Sequence, residues 1–155
     1  VSKFAQDTSV SSERSRGEIE RTLSRYGATG FMCGWSGANA LVAFEMAGRR
    51  IRFDLPLPAK DEKRFWFTPN RKTKRTAQQA EAEWEQACRQ RWRALALVIK
   101  AKLEAVESGI SVFEEEFLAN IVLPGNQRVG TWMLPQIAEA YASGKMPPML
   151  PGPPK

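Results

Sequence analysis

The sequence predicts an α+β domain in which a small antiparallel meander of three or four strands packs against one long helix and shorter C-terminal helices. Three observations carry that reading. Residues 31–55 alternate apolar and polar side chains around short turns, as half-buried strands do. Residues 77–108 hold no proline or glycine and repeat apolar side chains every three or four positions. Beyond them, short helical patterns are separated by Gly109 and by Pro124-Gly125-Asn126.

In chain order, residues 1–12 are small and polar and read as a flexible arm, and residues 13–145 read as a single domain. Glu13 to Tyr26 places Ile19, Leu23 and Tyr26 on one helical face, with Ser15 and Glu18 as a capping box and Gly27 as the stop. Phe31–Trp35, Ala40–Met46 and Arg49–Leu55 read as strands. A two-residue turn at Ala47-Gly48 sets Met46 opposite Arg49, Glu45 opposite Arg50, Phe44 opposite Ile51 and Val42 opposite Phe53. Phe44, Ile51, Val42, Phe53, Ala40 and Leu55 then share a core face. Glu45, Arg50, Arg52 and Asp54 share an open and partly basic one. Pro56 and Pro58 end the third strand, because proline cannot donate to a ladder. Phe65-Trp66-Phe67 reads as a fourth strand closed by Pro69, with Trp66 pointing away from its neighbours.

Thr76 and Gln79 form a second capping box, opening a helix over 77–108 of roughly 48 Å at 1.5 Å per residue. Trp84, Cys88, Trp92, Leu95, Ile99, Leu103 and Val106 make its main stripe. Ala80, Ala87, Ala94, Leu97 and Ala101 make a flatter second one. A helix apolar on two sides has two neighbours, either its own sheet plus the C-terminal helices or its own sheet plus another subunit. The amount of apolar surface on this helix predicts a homo-oligomer through it. Ser111 and Glu114 read as a third box, before a helix with Phe113, Phe117 and Ile121 inward. A last helix covers Thr131–Ser143, with Pro135 tolerated near its start and Gly144 as its end. Residues 146–155 form a Pro-rich tail, docked or disordered.

The chain has 155 residues, 43% of them apolar, which suits one domain with its own core. It has no histidine, which excludes Ser-His-Asp and Cys-His mechanisms and nearly every zinc site. Two cysteines make no disulfide framework, and with no signal peptide or membrane span this predicts a cytoplasmic protein of the host cell. Gly34-Trp35-Ser36-Gly37 lacks the spacing of a nucleophile elbow, and no glycine cluster leads into a phosphate-loop lysine. Glu114, Glu115 and Glu116 fan around a helix and suit its positive end better than a shared metal. Asp54 with Asp61-Glu62-Lys63 has a faint likeness to two-metal nucleases, but Pro56 and Pro58 break the strand pairing such sites use. No catalytic residue, cofactor or metal is predicted, and the chain reads as a non-enzyme.

Charge is more informative. Residues 49–75 carry ten basic and three acidic side chains out of 23 and 17 in the whole chain, whereas residues 103–155 carry three basic and six acidic. A concentrated basic segment favours a polyanion, nucleic acid before a membrane surface, because no bulky apolar helix face accompanies it. Arg50, Arg52, Arg64, Arg71, Lys72, Lys74 and Arg75 are the candidate phosphate contacts. Trp66 is the candidate stacking platform, and Phe65 and Phe67 read as core. A solvated basic loop is the plainer reading of the same residues.

The segments Tyr26–Trp35 (YGATGFMCGW) and Gln86–Leu123 resemble proteins encoded by phages, prophages and plasmids, and the likeness runs from about Ser11 to Pro151. It implies a mobile-element context and carries over no catalytic residues. The order helix, three-stranded meander, long helix is also similar in topology to single-strand annealing proteins, with no motif matched residue by residue. The expected function is therefore a non-enzymatic nucleic-acid-binding accessory protein of a phage or mobile element, with single-stranded DNA binding or annealing favoured. The competing expectation is a protein–protein module, either an inhibitor of a host enzyme or a component of a phage assembly. It would use the long helix and the tail as its contact surface.

Overall fold

The computed structural model describes residues 5–36, 38–70 and 72–146. Strands β1 (Gly30–Ser36), β2 (Asn39–Met46) and β3 (Arg49–Pro56) form one antiparallel sheet in the order β1-β2-β3. Ala47 and Gly48 both take positive φ, 52° and 71°, the backbone of a turn whose twist suits a two-residue hairpin. That turn fixes the register as the alternation predicts. Phe44 lies opposite Ile51, Val42 opposite Phe53 and Ala40 opposite Leu55, all buried. On the other face Glu45 meets Arg50 at 3.6 Å. The sheet thus has a helix-covered side and an open side.

Helix α1 (Ser12–Arg25) lays Ile19, Thr22 and Leu23 on the covered side. Its cap is Ser11, whose hydroxyl accepts from the Arg14 amide, and not Ser15. Ser15 is fully buried one turn inside the helix, where a small side chain lets α1 approach its neighbours. The arm is partly tied down, since the Gln86 side-chain amide donates to the carbonyls of Gln6 and Thr8 at 3.0 Å each.

After β3 the chain forms α2 (Lys63–Trp66), a single helical turn where a fourth strand was expected. The turn wins because the Glu62 carboxylate accepts from the Ala59 amide, and the Phe67 amide closes onto the Lys63 carbonyl. Helix α3 (Ala77–Glu107) follows, about 46 Å long, opened by the Thr76–Gln79 capping box. Cys88, Trp92, Leu95, Ile99 and Leu103 are buried along it. Helix α1 packs beside it, held by the Glu18–Arg93 and Tyr26–Glu104 contacts, and α2 packs on its N-terminal part. These neighbours cover much of α3, while Ala94 and Leu97 of the second stripe stay half-buried and Ala101 is exposed. Val98 is the large apolar side chain it leaves exposed.

The C-terminal third departs most from expectation. Helix α4 (Phe113–Glu116) is one turn long and is capped by Val112 with no side-chain bond, so the Ser111–Glu114 box does not form. A 3-10 turn over Leu118–Asn120 follows, and then Ile121 pairs with Ile51 on the free edge of β3. The Val122 amide donates to the Arg50 carbonyl at 2.8 Å. Sheet pairing at this edge ends the helix that Phe113, Phe117 and Ile121 suggested, although all three are buried as expected. Of the acidic triplet, Glu116 accepts from Lys102, and that bond holds its carboxyl below the usual range.

Helix α5 (Val129–Ser143) starts two residues earlier than expected and contains Pro135 in its interior. Its first turn is pinned by Gly130, where an added Cβ would lie 2.9 Å from the Ala119 carbonyl oxygen. Gly130→Ala is expected to lift this turn from its seat at about 1–3 kcal/mol, typical of overpacking. Faster amide exchange confined to α5 would show it. No residue of α5 is fully buried, and Leu134, Ile137 and Tyr141 are exposed. The tail reading falls on residues 147–155, which lie outside the described residues, as do Gly37 and Arg71. No described helix is long and apolar enough to cross a membrane.

Candidate nucleic-acid interface

The basic segment is built on an overhang. The Arg91 guanidinium donates to the Pro56 carbonyl at 3.1 Å, so α3 meets the end of the sheet near residue 91. The α3 residues before that point project roughly 21 Å past the sheet. Residues 57–76 fold back along this projection. The Trp84 indole N–H donates to the Pro58 carbonyl at 2.7 Å, Phe65 is buried beside Ala80, and Phe67 bridges Lys74. The result is a lobe whose 60–75 segment holds seven basic and two acidic residues.

Within the lobe the candidate contacts divide by what each side chain already holds. Lys72 and Lys74 are exposed and carry no ion pair among the described residues, and Lys63 on α2 is in the same position. Arg64 is exposed, but its guanidinium sits 2.6 Å from Glu62 and over the Phe65 ring at 4.7 Å. Lys60 is engaged with Glu81 at 3.2 Å and lies over the Trp84 ring. Arg75 faces inward. Its guanidinium donates to the carbonyls of Arg64, Phe65 and Phe67, fastening α2 and its flanks to the base of α3. Arg71 lies outside the described residues.

Two candidates stand elsewhere. Arg50 and Arg52 belong to the open sheet face, and Arg50 sits near the hairpin end of β3, about 20 Å from the Pro56 end that leads into the lobe. Arg50 pairs with Glu45, and Arg52 pairs with Asp54 at 3.1 Å while donating to the Asn126 carbonyl. Arg128 closes the same group from the other side of Asp54 at 3.0 Å. The eight sequence candidates thus do not converge on one site.

Trp66 is half-buried, and its indole N–H donates to the Lys60 carbonyl at 3.0 Å. The alternation that pointed it outward does not apply to a helical turn. The exposed aromatic of this region is Trp35, at 77% exposure. It lies opposite Ala40, which lies opposite Leu55, so it occupies the end of the sheet from which the lobe grows. The Leu57 amide donates to the Ala38 carbonyl at 2.9 Å and ties the two together. The pairing of Trp35 with Ala40 puts it on the side of the sheet that carries Val42 and Phe44. Its position at the last rungs of an edge strand, beside a small-residue turn, is the signal that the core does not extend over it.

Other chemistry is sparse. Burial pushes the Cys33 and Cys88 thiols up from their ordinary values, which lowers their thiolate fraction at neutral pH. Among the described residues, no group of three histidine, cysteine, aspartate or glutamate side chains is placed to hold a metal ion. Asp54 is held by two guanidinium groups, Arg52 and Arg128, on the open sheet face, whereas Glu62 lies beyond Pro58 in the lobe.

Compared with protein-family models, curated proteins and solved structures, the chain matches none.

Proposed function

We propose that this protein is a non-enzymatic nucleic-acid-binding accessory protein of a phage or other mobile element, with a single strand as its preferred ligand. The observation that carries the reading is the exposed Trp35 at the base of a lobe whose Lys63, Lys72 and Lys74 are exposed without ion pairs among the described residues. Lysines of that kind take phosphates by counterion release, and an exposed indole takes a base face with little regard to sequence. A single strand offers both at once, whereas a duplex hides its base faces. The mobile-element context rests on the resemblance of Tyr26–Trp35 and Gln86–Leu123 to phage and plasmid proteins.

The test is binding of a labelled oligothymidine at several salt concentrations. Four contacts, from Lys63, Arg71, Lys72 and Lys74, give a log–log salt slope of about −3 on a single strand. Trp35→Ala is expected to weaken binding by about 1–3 kcal/mol at every salt concentration, leaving the slope unchanged. No binding at about 50 mM salt would end the nucleic-acid reading. The lobe would then be a solvated surface or a docking site for an acidic protein. A protein–protein role draws separate support from the open sheet face and the uncovered side of α5.

A further inference from the structure

Two neighbouring rungs of the sheet make a trough on its open face. Gly30, Glu45 and Arg50 form one rung, and Met32, Ala43 and Arg52 form the next. Gly30 has no side chain and Ala43 only a methyl, so the floor is low and apolar between taller neighbours. Ala43 is buried although no helix covers this face, because Met32 and Arg52 stand on either side of it. Beyond β3, Val122 closes the far side, its amide bonded to the Arg50 carbonyl. The floor measures about 7 Å along the strands and about 14 Å across them. The volume of about 370 Å³ falls within the range of small-molecule sites.

The rim is charged, and its charges do not balance. Asp54 is taken by Arg52 and Arg128, one guanidinium on each oxygen, at 3.1 and 3.0 Å. Arg52 is fixed further by donating to the Asn126 carbonyl, so it serves as a wall. Among the described residues the acidic partner of Arg50 is Glu45, at 3.6 Å, longer than a hydrogen bond, and both side chains are more than half exposed. An exposed pair of that kind is weak and gives way to a better acceptor. Arg50, Arg52 and Arg128 against Glu45 and Asp54 leave the group with one positive charge in excess, so an anion is the ligand that completes it.

We infer that the trough binds a small amphiphilic anion, a carboxylate or similar head on a flat or short apolar body of about ten to fifteen heavy atoms. The body lies over Gly30 and Ala43, between Met32 and Val122. The head takes the Arg50 guanidinium in place of Glu45, in the planar paired geometry that a carboxylate offers and an exposed 3.6 Å contact does not. Gly30 then has a reason that the fold alone does not supply. Its φ is not positive, and an added Cβ would meet only the Glu45 side chain, at an ordinary 3.8 Å. A longer side chain there would stand where the ligand lies. The site is separate from the basic lobe and does not rest on the nucleic-acid reading.

The experiment is a magnetic-resonance titration of the whole chain with naphthoate, compared with its neutral amide and with naphthylmethylamine, and with folding checked by circular dichroism. Naphthoate is expected to bind one-to-one with a Kd below about 1 mM, at least about fivefold tighter than the amide, and the amine is expected not to bind. Arg50→Gln should bring the acid down to the level of the amide. Gly30→Leu fills the trough and should abolish binding. Met32→Glu, at an exposed site, serves if Gly30→Leu fails to fold, and should weaken the acid more than the amide. Ile137→Glu, on the exposed side of α5, should change nothing, which separates the trough from other apolar surface. Absence of naphthoate binding at about 1 mM overturns the inference. So does equal binding of acid and amide, binding that survives the trough substitutions, or binding lost in Ile137→Glu.

Discussion

Phe117→Ala is expected to lower the stability of the fold by about 3–5 kcal/mol, read as a shift in the urea midpoint. Phe117 is fully buried where the C-terminal segment meets the sheet. Its ring meets Phe44 at 5.9 Å and Phe53 at 6.3 Å, both edge-on, and lies against Phe113 at 4.9 Å. Truncation removes these contacts and leaves a cavity that strands β2 and β3 cannot close without breaking their register. A loss of that size is a large part of the roughly 5–15 kcal/mol that holds a domain together. Phe117→Leu keeps most of the volume and should lose distinctly less. If Phe117→Ala shifted the midpoint by under about 1 kcal/mol, the segment after α3 would be an appendage and not part of one cooperative unit.

That residue also shows what the sequence carried and what it did not. The spacing of Phe113, Phe117 and Ile121 marked all three as buried, and burial is the term that the apolar pattern reports. The backbone between them was not legible in the same way. Helical spacing continues through Ile121, yet Ile121 pairs with Ile51 because the edge of β3 offers unpaired backbone groups. That edge exists only once the meander has formed. The meander itself was legible, because the Ala47-Gly48 turn and strict alternation on both sides specify one register with no help from distant residues.

The candidate site shows the same division. Clustered charge along residues 49–75 was visible, but the sequence cannot say which guanidinium turns inward. Arg75 does so because three carbonyls around α2 need donors, and α2 was misread as a strand on three residues of alternation. The pattern of Asp61 and Glu62 before Lys63 and Arg64, acids leading and bases following, is the signal for a short helix there. Trp66, expected to point outward, is half-buried because it lies on a helical turn, and Trp35 is exposed because it stands at a strand end.

Separating the two kinds of basic residue yields the second large effect. Lys63→Ala, Lys72→Ala and Lys74→Ala combined are expected to reduce the salt slope of single-strand binding from about −3 to less than about −1 in magnitude. The protein should melt as before, because these side chains are exposed and hold nothing among the described residues. A slope change of about 2 amounts to roughly 15-fold between about 50 and 200 mM salt, well within a titration. Arg75→Ala should behave in the opposite way. It strips donors from the carbonyls of Arg64, Phe65 and Phe67 and is expected to cost about 1–3 kcal/mol, while leaving the slope of the folded protein unchanged. Equal loss of slope from Arg75→Ala and from the lysine triple, with no loss of stability, would place Arg75 on the phosphate instead. A triple variant with an unchanged slope would move the binding surface off the lobe altogether, toward Arg50 and Arg52 on the sheet.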